Sequence, residues 1–422
     1  MEKVFQKIAI VTVSVGLTFG LTTLQAGQVL GFSFTKIADT GTPIPGGSGN
    51  FSNFANFGNS PVPAISQGNV VFNALGPNGQ NGVYISINGT LDVVVDLNTT
   101  APGIGSNFAS LADDPAISGT DVAFTDQLFG LFLDTGNLSL VADMKTTIVP
   151  GTATGTFKDF ESVAISDGNL VMTANNGNGV YSVINGTLGL VADTNTQVPN
   201  SAGNFDRFSL SDIDDETIVF AGERGNESGI YRFINGTLEV VVDESNLIPG
   251  DSVGFNFIGS PVISGNDILF RGQGPLGQNG LFLQSETGLE VVVDKNTLIP
   301  DTTEHFNFLL DYAISGDDIA FLGADVNNLN RGIFLSENNS LSKVIAIGDP
   351  LDGKIINDLK FGRFGLSGGD LAFYAGFEDG SSGIYSATAS SPASSIPEPS
   401  TLIGTVLILG IGVFSLKRKG LE

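Results

Sequence analysis

Apolar and polar positions alternate in short runs along most of this chain, and the runs recur. An apolar residue followed by a polar one, then a turn and a strand, is found at Ile65-Ser66, Ile117-Ser118, Ile165-Ser166, Ile213-Asp214, Ile263-Ser264, Ile314-Ser315 and Leu366-Ser367. Successive pairs lie about 50 residues apart, the period of a repeat architecture. Each pair leads into a strand that ends near Phe72, Phe124, Met172, Phe220, Phe270, Phe321 or Phe373. A second strand opens on a glycine with an aromatic two residues later, as at Gly82 and Tyr84, Gly229 and Tyr231, or Gly383 and Tyr385. The reversal after it is Asn-Gly at Asn88, Asn185 and Asn235, which suits a type I′ hairpin turn better than it suits glycosylation of the overlapping sequon. The next strands run Leu91 to Asp96, Leu138 to Asp143, Leu188 to Asp193, Leu238 to Asp243, Leu289 to Asp294 and Leu341 to Ala346. An extended stretch before each Ile-Ser pair, such as Phe257 to Ile263, completes four strands per unit.

The seventh unit stops after Tyr385, one strand short, while an unclaimed strand, Phe34 to Asp39, stands at the start of the domain. A ring explains both. The pattern therefore predicts an all-β, seven-bladed β-propeller over residues 31–388, closed by an N-terminal strand. An open β-solenoid is the alternative, and it would leave the missing strand unrepaired.

Composition narrows the class. Hydrophobic residues make up 41% of the chain and charged ones 15%, so this is no disordered polyanion. The net charge of −26 disfavours nucleic acid and anionic lipid surfaces, both of which need a cationic footprint. Without cysteine, disulfides and thiolate metal sites are ruled out.

The two ends read as addresses. Lys3 and Lys7 precede an apolar run from Ile8 to about Leu21, then small residues to Ala26 and Gly27. That order predicts a signal peptide over 1–26, helical in its apolar part and cleaved between Ala26 and Gly27; an uncleaved anchor is the alternative. At the other end a linker over 389–396 leads to Pro397, Glu398 and Pro399, an uncharged apolar segment over 401–416, and Lys417, Arg418 and Lys419. The apolar segment is short for a transmembrane helix, and the basic cluster behind it should stay cytoplasmic.

Residues 397–422 resemble the PEP-CTERM sorting domain of Gram-negative bacteria, with its three parts in order. The resemblance implies that an exosortase-type enzyme recognises Pro397, Glu398 and Pro399, with Lys417, Arg418 and Lys419 as the stop-transfer cluster. It implies a transient inner-membrane stage before the protein reaches the cell surface or exterior. It also implies an exopolysaccharide-rich setting, with exopolysaccharide or surface proteins as partners. A plain C-terminal anchor is the competing reading.

Candidate chemistry in the repeats is sparse. Asp96, Asp193, Asp243 and Asp294 each end a strand and begin a segment of Asn, Thr and Pro. Their oxygens are weak Ca²⁺ candidates, and the stronger reading is an Asx-turn at the strand end. No other cofactor is expected. Recurrent phenylalanines, among them Phe51, Phe54, Phe157, Phe160, Phe205, Phe208, Phe255, Phe257, Phe306 and Phe308, are assigned to the core rather than to a binding surface. His305, the one histidine, has no Gly-x-Ser-x-Gly elbow to serve. The acidic pairs Asp113-Asp114, Asp214-Asp215 and Asp317-Asp318 read as solvated loop residues, and Asp325 to Asn330 and Asp349 to Lys354 as the most irregular stretches. No catalytic constellation stands out. The expectation is an exported, non-enzymatic binding or scaffold propeller; the alternative is an extracellular polysaccharide hydrolase or lyase with Asp or Glu as acid and base.

Overall fold

The computed structural model describes residues 31–54, 62–111, 114–338 and 340–390. The signal segment 1–26 with Ala26 and Gly27, Pro397 to Pro399, the segment 401–416 and Lys417 to Lys419 lie outside the described residues, and so do the two helices expected there.

The repeats fold into seven antiparallel sheets. Six are four-stranded meanders over 64–96, 116–143, 160–193, 207–243, 257–294 and 308–346, here called blades 1 to 6. In blade 7, the strands Asp370–Phe377 and Ser382–Ser390 are flanked on the outer side by Gly31–Asp39. That N-terminal strand pairs with the last one from Gly31 opposite Ser390 to Asp39 opposite Gly383. Lys36 Nζ, on the closing strand, bonds Asp352 in a hairpin turn of blade 7 at 2.9 Å. The first strands of consecutive blades touch one another around the whole set, blade 7 meeting both blade 6 and blade 1. These strands line the axis of a seven-bladed β-propeller. The Asn-Gly reversals have positive φ at both residues, 50° and 77° at Asn88 and Gly89, as a type I′ turn needs.

The core lies between blades. Phe205, Phe208, Phe220 and Tyr231 of blade 4 pack on Ala164, Val171 and Val180 of blade 3. Within the cluster, Phe205 meets Tyr231 edge-on with centroids 4.7 Å apart. The same edge-on pair recurs as Phe51 with Tyr84, Phe157 with Tyr181, Phe255 with Phe282 and Phe306 with Phe334. Gly222 and Gly272 admit it, because a Cβ there would stand 2.6 and 2.5 Å from the rings of Phe205 and Phe255.

Two of the assigned core phenylalanines are misplaced. Phe257 and Phe308 are 40% and 42% exposed. The buried partner comes three residues after the first aromatic: Phe54, Leu111, Phe160, Phe208, Ile258 and Leu309 follow Phe51, Phe108, Phe157, Phe205, Phe255 and Phe306. Phe257 and Phe308 sit one residue earlier, on the opposite face of the pleat.

The polar half of the Ile-Ser pair closes a second ring. Ser66 Oγ accepts the Gly119 amide, Ser118 that of Asp167, Ser166 that of Asp215, Ser264 that of Gly316, Ser315 that of Gly368 and Ser367 that of Gln67, at 2.8–3.1 Å. Asp214 takes the place of serine in blade 4 and accepts the Gly265 amide through Oδ2. Each blade is stitched to the next, and the seventh to the first.

Candidate functional site

The other end of each inner strand holds the site. Three residues before the Ile or Leu of each pair stand Val62, Asp114, Ser162, Leu210, Ser260, Asp311 and Arg363. All seven line one or both of two adjoining cavities on the propeller axis, of about 210 and 580 Å³. Several are turned inward by β-bulges. The inner-strand register slips between Phe160 and Ser162, Phe208 and Ser211, Gly259 and Val262, and Leu309 and Tyr312. A bulge adds a residue on one strand and re-aims its side chains. Glu161, Leu210, Ser260 and Asp311 are the residues it releases towards the axis.

Blade 7 departs furthest. Its inner strand is split into Lys354–Lys360 and Leu366–Ser367, with Lys360 opposite Tyr374 and Leu366 opposite Leu371. The surplus chain carries Arg363 and Phe364 off the sheet. Phe364 packs against the apolar cores between blades 1 and 2, 2 and 3, and 3 and 4, and lines the smaller cavity. Arg363 lies over its ring at 4.7 Å and reaches blade 4, where it donates to the Ser211 carbonyl and pairs with Asp212 at 3.5 Å. Asp212 also accepts the amides of Ile213 and Ile263 at 3.0 Å. Burial pushes its carboxyl up, against the pull of Arg363 and these amides.

Asp311 and Glu161 face the cavities differently. Both are exposed although they belong to inner strands, so the solvent they meet is that of the channel. The surrounding wall desolvates Asp311 and raises its pKa, while Arg331 and Lys360 pull it down. Glu161 is raised by desolvation and by the neighbouring Asp159, with Arg207 opposing. Tyr312, next to Asp311, is buried; its hydroxyl accepts the Arg271 amide at 3.0 Å and bonds the Ser260 carbonyl, holding blade 6 to blade 5.

The residues singled out in the repeats lie elsewhere. Asp96, Asp193 and Asp294 each accept an amide two residues on and the hydroxyl of Thr99, Thr196 or Thr297, and Asp243 accepts from Ser245. These are Asx-turns at strand ends, distant from the axis. Among the described residues no group of three or more His, Cys, Asp or Glu is placed to hold a metal ion. His305 is exposed in the connection between blades 5 and 6 and lines neither axial cavity. Asp325 folds its own loop, accepting the Asn327 and Leu329 amides. Two acidic residues read as loop chemistry are reassigned: Asp114 lines both axial cavities, and Asp214 belongs to the inter-blade ring. The hydrogen bond and the inward position depend on neighbouring blades that the local sequence does not show.

Arg363, Asp212, Glu161, Asp311, Arg331 and Lys360 were not legible as a site. A signal existed. The position three before each pair varies from Val to Asp to Arg while the pair itself departs from Ile-Ser only at Asp214 and Leu366, and one before the pair Asp212 interrupts Ala64, Ala116, Ala164 and Ala313.

Fold and site together define a seven-bladed β-propeller with charged residues gathered on its axis. The chain belongs to a family of unknown function, DUF7453, whose profile matches residues 133–368. No curated protein sequence matches it. Among solved structures it is similar to a Mycobacterium tuberculosis puromycin-hydrolysing peptidase, at 10% identity and a TM-score of 0.46, covering 75% of this chain and 48% of that one. It is similar to prolyl endopeptidases at 14% identity and a TM-score of 0.45, covering 78% and 50%. It is similar to a Pyrococcus horikoshii acylaminoacyl peptidase at 14% identity and a TM-score of 0.40, covering 74% and 48%. The chain thus spans about half the length of these structures, and the likeness shows the fold alone.

The expectation of a non-enzymatic binding or scaffold propeller is corrected by these findings. The solved structures it is similar to are described as peptidases, and a repeat domain without a sequence motif is no ground for excluding an enzyme.

Proposed function

We propose that the protein is an exported hydrolase that cleaves extracellular polysaccharide at the propeller axis, with carboxyl groups as acid and base. The observation that carries this reading is Asp311: a solvent-reached carboxyl, raised by desolvation, in a cavity of about 580 Å³ to which six of the seven blades contribute a wall. Cavities of roughly 300–1,000 Å³ suit small ligands or single subsites. A raised carboxyl is better suited than an ordinary one to hold a proton and give it to a leaving oxygen. Asp114, which lines both cavities, is the partner carboxylate, and Glu161 is the second raised acid. Arg331 and Lys360, which act on Asp311, are placed to offset negative charge that develops there. His305 stands outside the cavities, which favours carboxyl chemistry over a serine–histidine pair.

Export is part of the proposal and rests on the signal-like 1–26 segment and the PEP-CTERM-like tail, with an exosortase-type enzyme as processing partner.

The full chain, expressed in a host carrying exosortase and incubated with a panel of polysaccharides, is expected to release new reducing ends. Asp311→Asn should lower the rate by about 100-fold or more, the scale of a lost general acid. Absence of cleavage across the panel, or an Asp311→Asn variant of full activity, overturns the hydrolase. Intact mass of the product tests export: a protein retaining both ends and held in the membrane overturns that part.

A further inference from the structure

We infer that the axial cavity takes a sugar bearing an anionic oxygen group, so that the polysaccharide bound there is an acidic one. The cleavage, though not the binding, rests on the hydrolase reading above.

The observation is a local reversal of charge. The chain has 44 Asp and Glu against 18 Lys and Arg. Yet the larger cavity is lined by Arg271, Arg331, Lys360 and Arg363 against Asp114 and Asp311. The four cations come from three successive blades and are all half-buried. At physiological ionic strength charges are screened beyond roughly 8 Å, so a group inside the cavity feels these cations before the acidic exterior.

Arg331 Nη2 and Arg363 Nη2 each donate to a backbone carbonyl, of Leu359 and Ser211, but the carboxylates beside these cations stand further off. Asp358 stands 3.8 Å from Arg331 Nη1 and 3.5 Å from Lys360 Nζ, and Asp212 stands 3.5 Å from Arg363 Nη2. A charge-assisted hydrogen bond is nearer ~2.8 Å. Arg271 Nε reaches Asn279 at only 3.4 Å. Three further donors, Arg331 Nε and Arg363 Nε and Nη1, are buried without a hydrogen-bond acceptor. Leaving buried donors unmatched costs free energy, so the positive charge of these two guanidinium groups is only partly offset by their surroundings. Planar guanidinium groups match the paired oxygens of a carboxylate or of a tetrahedral ester anion such as sulfate or phosphate.

The test is calorimetric titration of the full chain carrying Asp311→Asn, which prevents turnover, with a uronate oligosaccharide, a sulfated one and a neutral one of equal length. The acidic ligands are expected to bind and the neutral one not, with affinity falling as salt rises. Preference between uronate and sulfate identifies the group. Adding Lys360→Gln or Arg271→Gln should weaken binding by about 10-fold. Equal binding of the neutral ligand overturns the inference, and so does salt-independent affinity in the protein without the Lys360 or Arg271 change. Acidic ligands that bind but are left uncleaved by the protein with Asp311 intact would sustain the anion site and defeat the hydrolase.

Discussion

Single positions in this propeller divide into those that every blade repeats and those that each blade sets for itself. The serine of the Ile-Ser pair is repeated because the next blade always offers an amide at that place. The position three before the pair is free to vary because it faces a cavity rather than a neighbour. Phenylalanines divide in the same way. Phe205→Ala removes a ring with 1% exposure that touches Phe208, Phe220 and Tyr231, and should cost about 3–5 kcal/mol in denaturant unfolding. Phe308→Ala, at a site 42% exposed, should cost less than about 1 kcal/mol. Equal losses would mean that the two faces of the inner strand are not distinguished as described. Both residues are Phe in a repeated register, and composition alone cannot separate them; the three-residue spacing to the buried partner can.

At the scale of elements, the closing strand and the split strand carry most of the consequence. Gly31–Asp39 pairs along its length with Ser382–Ser390 and, among the described residues, has no other sheet neighbour. Removing 31–39 would leave Ser382–Ser390 as an unpaired edge, the kind of surface that recruits other chains. Hydrogen exchange over 382–390 is expected to quicken, with a lower melting temperature and a tendency to associate. Unchanged protection there would show that the serine ring and Phe364 close the circle without it. The missing strand of the last unit was legible because its partner sequence stood at the other end of the domain. The bulges and the break after Lys360 were not. A strand pattern records which residues alternate, whereas a bulge is defined by the partner strand's register.

At the scale of the molecule, charge placement couples stability to the proposed activity. Asp311 titrates higher in the folded protein than in the unfolded chain, so its ionised form opposes folding at neutral pH. That penalty is fully present above the raised value and vanishes below the ordinary carboxylate value of ~4. Asp311→Asn should therefore raise the melting temperature at pH 7, with the gain shrinking as pH falls towards 4, while cleavage is lost. A gain that persists at pH 3 would point to packing instead of charge. Asp39 acts in the opposite sense. Burial works against its ionisation, but Lys36, Thr42 and the Gly41 amide hold it below the ordinary value. Its contribution is present above that value and is lost as pH falls through the lowered one, so the closing strand is predicted to loosen in acid.

What the amino-acid sequence by itself determined is the all-β class, the seven units and the circular closure. Each follows from local alternation and from a period of about 50 residues, and both are properties of the chain read in order. What only the tertiary structure decided is the site. Asp114, Glu161, Asp311, Lys360 and Arg363 lie up to about 250 residues apart, yet each lies on an inner strand or in the chain just beside one. Rotation of the blade about a common axis brings them together, as the contacts between successive inner strands require. A repeat pattern fixes which positions are equivalent, and only closure of the ring makes equivalent positions neighbours.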